Sequence, residues 1–407
     1  MTTEQQPLTF NPLDPAFREN PYPTYSRLVR EERVHVTPFG VKAFTRLDDC
    51  IAILRDHKRF SSDDSNAGIG VVAAGPGGQE RSIDEQDRPF LFMDPPDHTR
   101  LRRLVNIGFS AKRIEAMRPR VEEIVTELLD AVEGKEEMDA IAELAYPLPV
   151  SVICEMLGVP REDEPLFKTW SRVLASALDP DIAVPPEVLK LREKAIDDSR
   201  AYFRDLIKRR GDSRPPDILS ALLDAQAEGD KLSEKELLAT CTLILIAGHE
   251  TTVNLIGNGI LQLLRHPDQL AKFQADPGLA RSVVEEVLRF DPPVQFDGRL
   301  CVEQVEYAGV TINPGEFVMQ LIGAANRDPS HFENPDTFDI TRGNDRHLAF
   351  GFGIHFCLGA PLARLEGEIA LRQFVQRFPN ARLLEERPPY RAQITLRGLE
   401  RLRVGLN

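Results

Sequence analysis

The sequence predicts a mainly α fold with a small β region, organised as one domain over residues 1–407. Three observations carry this. Apolar residues recur at helical spacing through most of the chain, whereas strand-like runs are few and short. One helical segment, 233–265, is far longer than the others. No linker is visible between residue 20 and the C-terminus, because Pro215-Pro216 and Pro292-Pro293 are brief and lie between helical patterns.

In chain order, residues 1–20 read as a tail. Helices over 22–32 and 47–56 flank strands at 33–37 and 41–45. The Gly-, Ala- and Ser-rich stretch SSDDSNAGIGVVAAGPGGQE opens a long flexible loop over 61–92, and such loops in compact domains are often functional. Helices follow at 97–107, 113–132, 139–157, 161–177, 187–210 and 216–226. The 233–265 helix has a capping box, Ser233 with Glu236, and a stop at His266-Pro267. It would run roughly 50 Å, against a radius of gyration near ~22 Å for a chain of this size, so it must cross the molecule. Glu250 is the single ionic residue between Thr240 and Ile260, so that stretch is buried. Helices at 267–274, 278–290 and 358–377 remain, with strands at 294–296, 300–306, 310–312, 316–321 and 393–406.

A net charge of −14 argues against nucleic acid as a partner. Between Arg100 and Arg120, however, seven basic residues (Arg100, Arg102, Arg103, Lys112, Arg113, Arg118, Arg120) face one acid, Glu115. Such a patch either meets an anionic partner or is a solvated helix face. Five cysteines without short spacings argue against a disulfide framework. The start, MTTEQQPLTF, lacks the pattern of a secretory leader, and no run reaches the roughly 18–20 apolar residues of a membrane span. A cytoplasmic location with no membrane contact is expected.

The segment Phe350-Gly351-Phe352-Gly353-Ile354-His355-Phe356-Cys357-Leu358-Gly359 precedes the last long helix, with Pro361 tolerated in its first turn. Cys357 thus stands at a helix N-terminus, where the dipole and unpaired N–H groups favour an anion and the thiol should ionise readily. Gly353 and Gly359 would let amides approach the sulfur, and the aromatics would exclude water. This suits a thiolate axial ligand to haem iron. A buried structural cysteine leaves the glycines unexplained. A His355/Cys357 zinc site would need two further ligands.

This loop resembles the haem-binding signature of the cytochrome P450 superfamily, and the likeness, closest to soluble bacterial members, extends over nearly the whole chain. It implies the P450 fold, with the long helix crossing over the haem, Cys357 on the iron of haem b, and 345–360 as the haem-thiolate loop. Gly248, costly inside a helix, suggests a ligand pressed against the backbone of Ala247-Gly248-His249-Glu250-Thr251-Thr252. By resemblance Glu250 and Thr251 relay protons to bound dioxygen, while His249 is structural. His98 and Arg102, Arg299 and His355 would hold the haem propionates, arginine suiting a carboxylate best. Phe350, Gly351, Gly359, Ala247 and Gly248 would line the cofactor. Glu286, Arg289 and Arg342 form a structural network.

The resemblance also implies a monooxygenase that uses O2 and two electrons from NAD(P)H to hydroxylate or epoxidise an apolar molecule. Its pocket would be lined by Leu91, Leu178, Leu243, Ile244, Ala247, Val294 and Phe296, with access through 61–92. Electrons would come from a ferredoxin and ferredoxin reductase, docked through the basic patch on a monomer. The alternatives are a peroxide-driven peroxygenase, disfavoured by the intact Glu250-Thr251 pair, and a non-catalytic haem-thiolate sensor.

Overall fold

A computed structural model describes residues 8–67, 88–227, 232–343 and 345–407. The chain opens with α1 (Pro15–Glu19) and α2 (Tyr22–Glu31). Strands β1 (Val34–Val36) and β2 (Lys42–Phe44) pair antiparallel, and α3 (Leu47–Arg55) leads to β3 (Phe60–Ser61). A helical middle follows: α4 (Asp97–Asn106), α5 (Ala111–Ala116), α6 (Arg118–Asp130), a short strand β4 (Glu137–Asp139), then α7 (Pro147–Leu157) and α8 (Glu164–Leu174). Next come α9 (Pro186–Arg210), α10 (Ile218–Ala227), α11 (Glu234–Arg265), α12 (Pro267–Ala275) and α13 (Ala280–Phe290). The last third holds β5 (Asp297–Cys301), β6 (Val305–Tyr307), β7 (Val310–Ile312), β8 (Phe317–Gln320) and α14 (Ile322–Ala325). It ends with α15 (Ala360–Arg377), β9 (Arg382–Leu383) and β10 (Arg403–Gly405).

The expected class holds: helices dominate, and the strands form a five-stranded sheet, β1-β2-β8-β5-β3, a three-stranded sheet, β4-β10-β9, and the β6-β7 hairpin. In the large sheet only the β2–β8 pairing is parallel.

α11 organises the molecule. Its capping box forms as expected, with the Ser233 side chain accepting from Glu236 N–H and the Glu236 carboxylate accepting from Ser233 N–H. It packs against α7, α9, α13 and α15. By length and composition it could cross a membrane, but 83% of its most apolar window is buried inside the fold, so it is a core helix. The main core cluster surrounds it. A second cluster lies under the large sheet around Phe44, Phe60 and Val318, and a third near the N-terminus joins Phe10, Tyr25 and Phe296.

Several expectations are corrected. The N-terminal stretch is no free tail, since Phe10 is 1% exposed and packs edge-on against Phe17 and Phe296. The 113–132 helix breaks at Met117, because Pro119 in the first turn of α6 has no N–H to continue α5. The 139–157 helix begins as a π turn over Ile141–Ala145, and Pro147 then starts α7. The 300–306 strand divides into β5 and β6. Of 393–406 only Arg403–Gly405 is strand, joined by isolated bridges at Leu396 and Leu399. Most of the 61–92 loop, residues 68–87, lies outside the described residues.

Candidate active site

The cysteine loop is held by backbone turns. Cys357 N–H donates to Phe350 O at 2.8 Å, and Gly351 N–H to Leu348 O at 2.8 Å. Gly351 and Gly353 adopt φ of 69° and 75°, in the left-handed region that favours glycine. A Cβ on Gly353 would stand 2.5 Å from Leu54 O, so this glycine serves the approach of the loop to α3 rather than to the sulfur. A Cβ on Gly359 would sit 4.0 Å from Cys357 Sγ, an ordinary contact. The expected easy ionisation of Cys357 is also corrected. Burial of its sulfur pushes the thiol up, and this outweighs the amides of Gly359 and Ala360 and the charges of Arg102 and Arg364, which act the other way. Arg364 also stacks on Phe350, with Cζ 4.5 Å from the ring centre.

Beside the loop lies a cationic cluster. His98 and Arg102, one turn apart on α4, reach the loop together: the His98 and His355 rings are 4.2 Å apart, and Arg102 donates to Phe356 O. Both ring nitrogens of His98 and Nε2 of His355 are buried without a hydrogen-bond partner. Burial, then Arg102, pushes His98 down to about 4. Burial, then His98, Arg299 and Arg102, pushes His355 down to about 2. Arg299 on β5 bonds Asp297 at 2.8 Å. His57, which sequence reasoning did not single out, is among the groups that lower both imidazoles. Two arginines, Arg102 and Arg299, beside orphaned buried ring nitrogens fit a ligand that brings carboxylates, as haem does. No group of three or more His, Cys, Asp or Glu among the described residues is arranged to hold a metal ion.

On α11, Ala247, Gly248 and Thr251 are only half-buried, in a helix whose middle is otherwise closed. Thr251 Oγ1 donates to Ala247 O at 3.0 Å. Gly248 is a correction: a Cβ there would lie 2.5 Å from Ile153 Cδ1, so its missing side chain admits α7 and not a ligand. Glu250 is 0% exposed and paired with Arg391 from the C-terminal segment. His249 is buried, its Nδ1 facing Leu245 O at 2.5 Å.

Leu91, Leu178, Leu243, Ile244 and Ala247 belong to or pack on the main core cluster. Val294 packs on the sheet cluster, and Phe296 joins the N-terminal cluster against Phe10. Glu286, Arg289 and Arg342 meet. Arg289 is fully buried and donates to both Glu286 oxygens at 2.8 Å and to the carbonyls of Asn326, Pro335 and Thr337, while Arg342 Nε lies 3.2 Å from Glu286. In the basic patch, Arg100, Arg118 and Arg120 turn to Glu236, Glu115 and Glu155 of this chain, leaving Arg103, Lys112 and Arg113 exposed.

The site thus joins a long core helix, a cysteine loop and, against that loop, Arg102 with two buried imidazoles. The cytochrome P450 family model matches residues 75–277 and 278–395, and the chain belongs to that family. It is 41% identical to cytochrome P450 107B1 of Saccharopolyspora erythraea over 99% of both chains. It is 42% identical to the vitamin D(3) 25-hydroxylase of Pseudonocardia autotrophica, over 95% of this chain and 94% of that one. The crystal structure of P450BioI in complex with hexadec-9Z-enoic acid ligated acyl carrier protein matches with a TM-score of 0.87 and 40% identity, over 96% of this chain and 99% of that one. The protein is a cytochrome P450 monooxygenase of the bacterial type, with haem iron as its cofactor.

Proposed function

We propose that this chain hydroxylates or epoxidises a lipophilic organic molecule with electrons from a ferredoxin and its NAD(P)H-dependent reductase, using haem b ligated by Cys357. The observation that supports this most is the convergence of the Cys357 loop with the orphaned His98 and His355 nitrogens. Haem b, when bound, activates dioxygen, and a thiolate ligand donates the electron density that favours O–O cleavage.

The chain's own residues do the rest. Cys357 Sγ would hold the iron as a thiolate, an anionic form that the amides of Gly359 and Ala360 and the charges of Arg102 and Arg364 favour. His98, Arg102, Arg299 and His355 hold the propionates, and Phe350, Gly351, Gly359 and Ala247 line the ring. Thr251 Oγ1 passes protons supplied by Glu250 toward the haem. Leu91, Leu178, Leu243, Ile244 and Ala247 give an apolar wall that selects by shape and area. Val294 and the 61–92 loop complete the pocket and its entrance. One relative is a vitamin D(3) hydroxylase and another binds a hexadecenoic acid, both lipophilic, which supports an apolar substrate here.

Residues 1–407 are read as one haem domain, monomeric and cytoplasmic, that takes its electrons from a ferredoxin. The exposed Arg103, Lys112 and Arg113 are its docking cations. The test is the absorbance of the reduced, carbon-monoxide-bound protein. A Soret band at the thiolate position, lost in Cys357→Ser, is expected; a band typical of histidine ligation in the unaltered protein would overturn the proposal.

A further inference from the structure

We propose that Arg391 is the positioning residue of Glu250, and that the hairpin carrying it couples the turn around Asp179 to the availability of that acid. This rests on the reading of Glu250 and Thr251 as a proton relay. In the structure Thr251 Oγ1 donates to Ala247 O of its own helix, and Glu250 is paired with Arg391. Two groups bracket the fully buried Glu250 carboxylate. His249 Nε2 is 3.7 Å from it, but burial, against the Leu245 carbonyl, pushes that imidazole down to about 4, so it is neutral. Arg391 therefore carries the compensating charge, which a buried carboxylate requires. For Glu250 to serve Thr251, the contact that must loosen is this one.

Arg391 stands on a hairpin that touches three parts of the site at once. Its own N–H donates to Gly398 O at 3.0 Å, and Tyr390 bridges Leu399. At the hairpin's far end, the N–H groups of Ile394 and Thr395 donate to the buried Asp179 carboxylate at 3.3 and 2.8 Å. Asp179 lies in the turn between two short 3-10 segments, Ala175–Leu178 and Asp181–Ala183. Between these ends, Gln295 N–H donates to Thr395 O at 2.9 Å and Arg397 N–H to Pro293 O at 2.7 Å, beside Val294. A shift of the turn on ligand entry is thus transmitted through residues 391–397 to the guanidinium on Glu250.

Infrared difference spectra of the ferric protein, without substrate or redox partner, test the holding role. Arg391→Gln should bring up a protonated-carboxyl band that shifts in deuterium oxide and is absent from Arg391→Gln/Glu250→Gln, while Arg391→Lys should lack it. Asp179→Ala should give the same band more weakly. In turnover, Glu250→Gln should lower product formation by about 100-fold, and Arg391→Gln by about tenfold. Acting through Glu250, Arg391→Gln should add nothing in the Glu250→Gln background. Additive losses, or no Glu250 band in Arg391→Gln, overturn the positioning role; a band in Arg391→Gln without one in Asp179→Ala overturns the coupling. Failure of the haem-thiolate reading would appear separately, in the carbon monoxide spectrum.

Discussion

At Gly248 the missing side chain is a packing requirement. A Cβ would meet Ile153 Cδ1 at 2.5 Å and Cγ1 at 2.9 Å, so alanine must displace a side chain held in a closed core. Gly248→Ala gains helix propensity but is expected to lose stability overall, by about 1 kcal/mol, because overpacking outweighs that gain. Adding Ile153→Val should restore part of the loss. Urea unfolding of the two variants checks this; an unchanged midpoint for Gly248→Ala would return the glycine to a ligand role. The sequence identified the position as exceptional but could not name its neighbour, which comes from a helix nearly a hundred residues earlier. The same asymmetry runs through the site. His98, Arg102 and His355 were named through the family resemblance, and the structure brings all three together beside the cysteine loop. Arg391 was not named, since nothing local links it to Glu250, and the packing of Phe10 on Phe296 is likewise a long-range fact.

Element boundaries follow a similar logic. The long helices were legible because caps, prolines and apolar periodicity are local signals, as in α11 with its capping box and Pro267 stop. Strands β4 and β9 were not, since three- and two-residue strands exist only through pairing with β10 far along the chain. The Glu286–Arg289 pair on α13 shows what one helix turn contributes when its carbonyl partners come from other elements. Arg289 joins α13 to the backbone at Asn326, Pro335 and Thr337, with no exposure. Arg289→Met leaves the buried Glu286 with only Arg342 and the Asp339 N–H as partners and should cost about 3–5 kcal/mol. Glu286→Gln in that background should cost less than the sum of the two single changes, because the orphaned charge is removed. Chemical denaturation of the three variants reads this directly, and additive losses would mean the residues do not act as one network.

At the scale of the whole molecule, acid stability depends on a second buried carboxylate, Glu285, that ties three segments together. Glu285 on α13 faces His347 Nε2 at 2.9 Å, before the cysteine loop, and Arg364 Nε at 2.6 Å on α15. Burial would raise its carboxyl, but the hydrogen bonds and charges of His347 and Arg364 outweigh burial and bring it from 4.5 to about 2. The folded state therefore binds fewer protons at Glu285 than the unfolded chain does, and stability rises with pH across this window. The contribution, about 3 kcal/mol from the size of the shift, is complete above the unfolded value and lost as pH falls toward 2. Glu366 on α15 works in the opposite sense. Burial without a partner pushes its carboxyl well up, so its neutral form favours folding at low pH and that benefit fades as pH rises. The net acid limb mixes the two, so the comparison must be a difference. Unfolding free energies measured from pH 7 down to the acid transition should show Glu285→Gln less stable at neutral pH and converging on the unaltered protein near pH ~2. A constant gap across that range would mean Glu285 contributes packing rather than charge, and that the clamp joining α13 to α15 is not electrostatic.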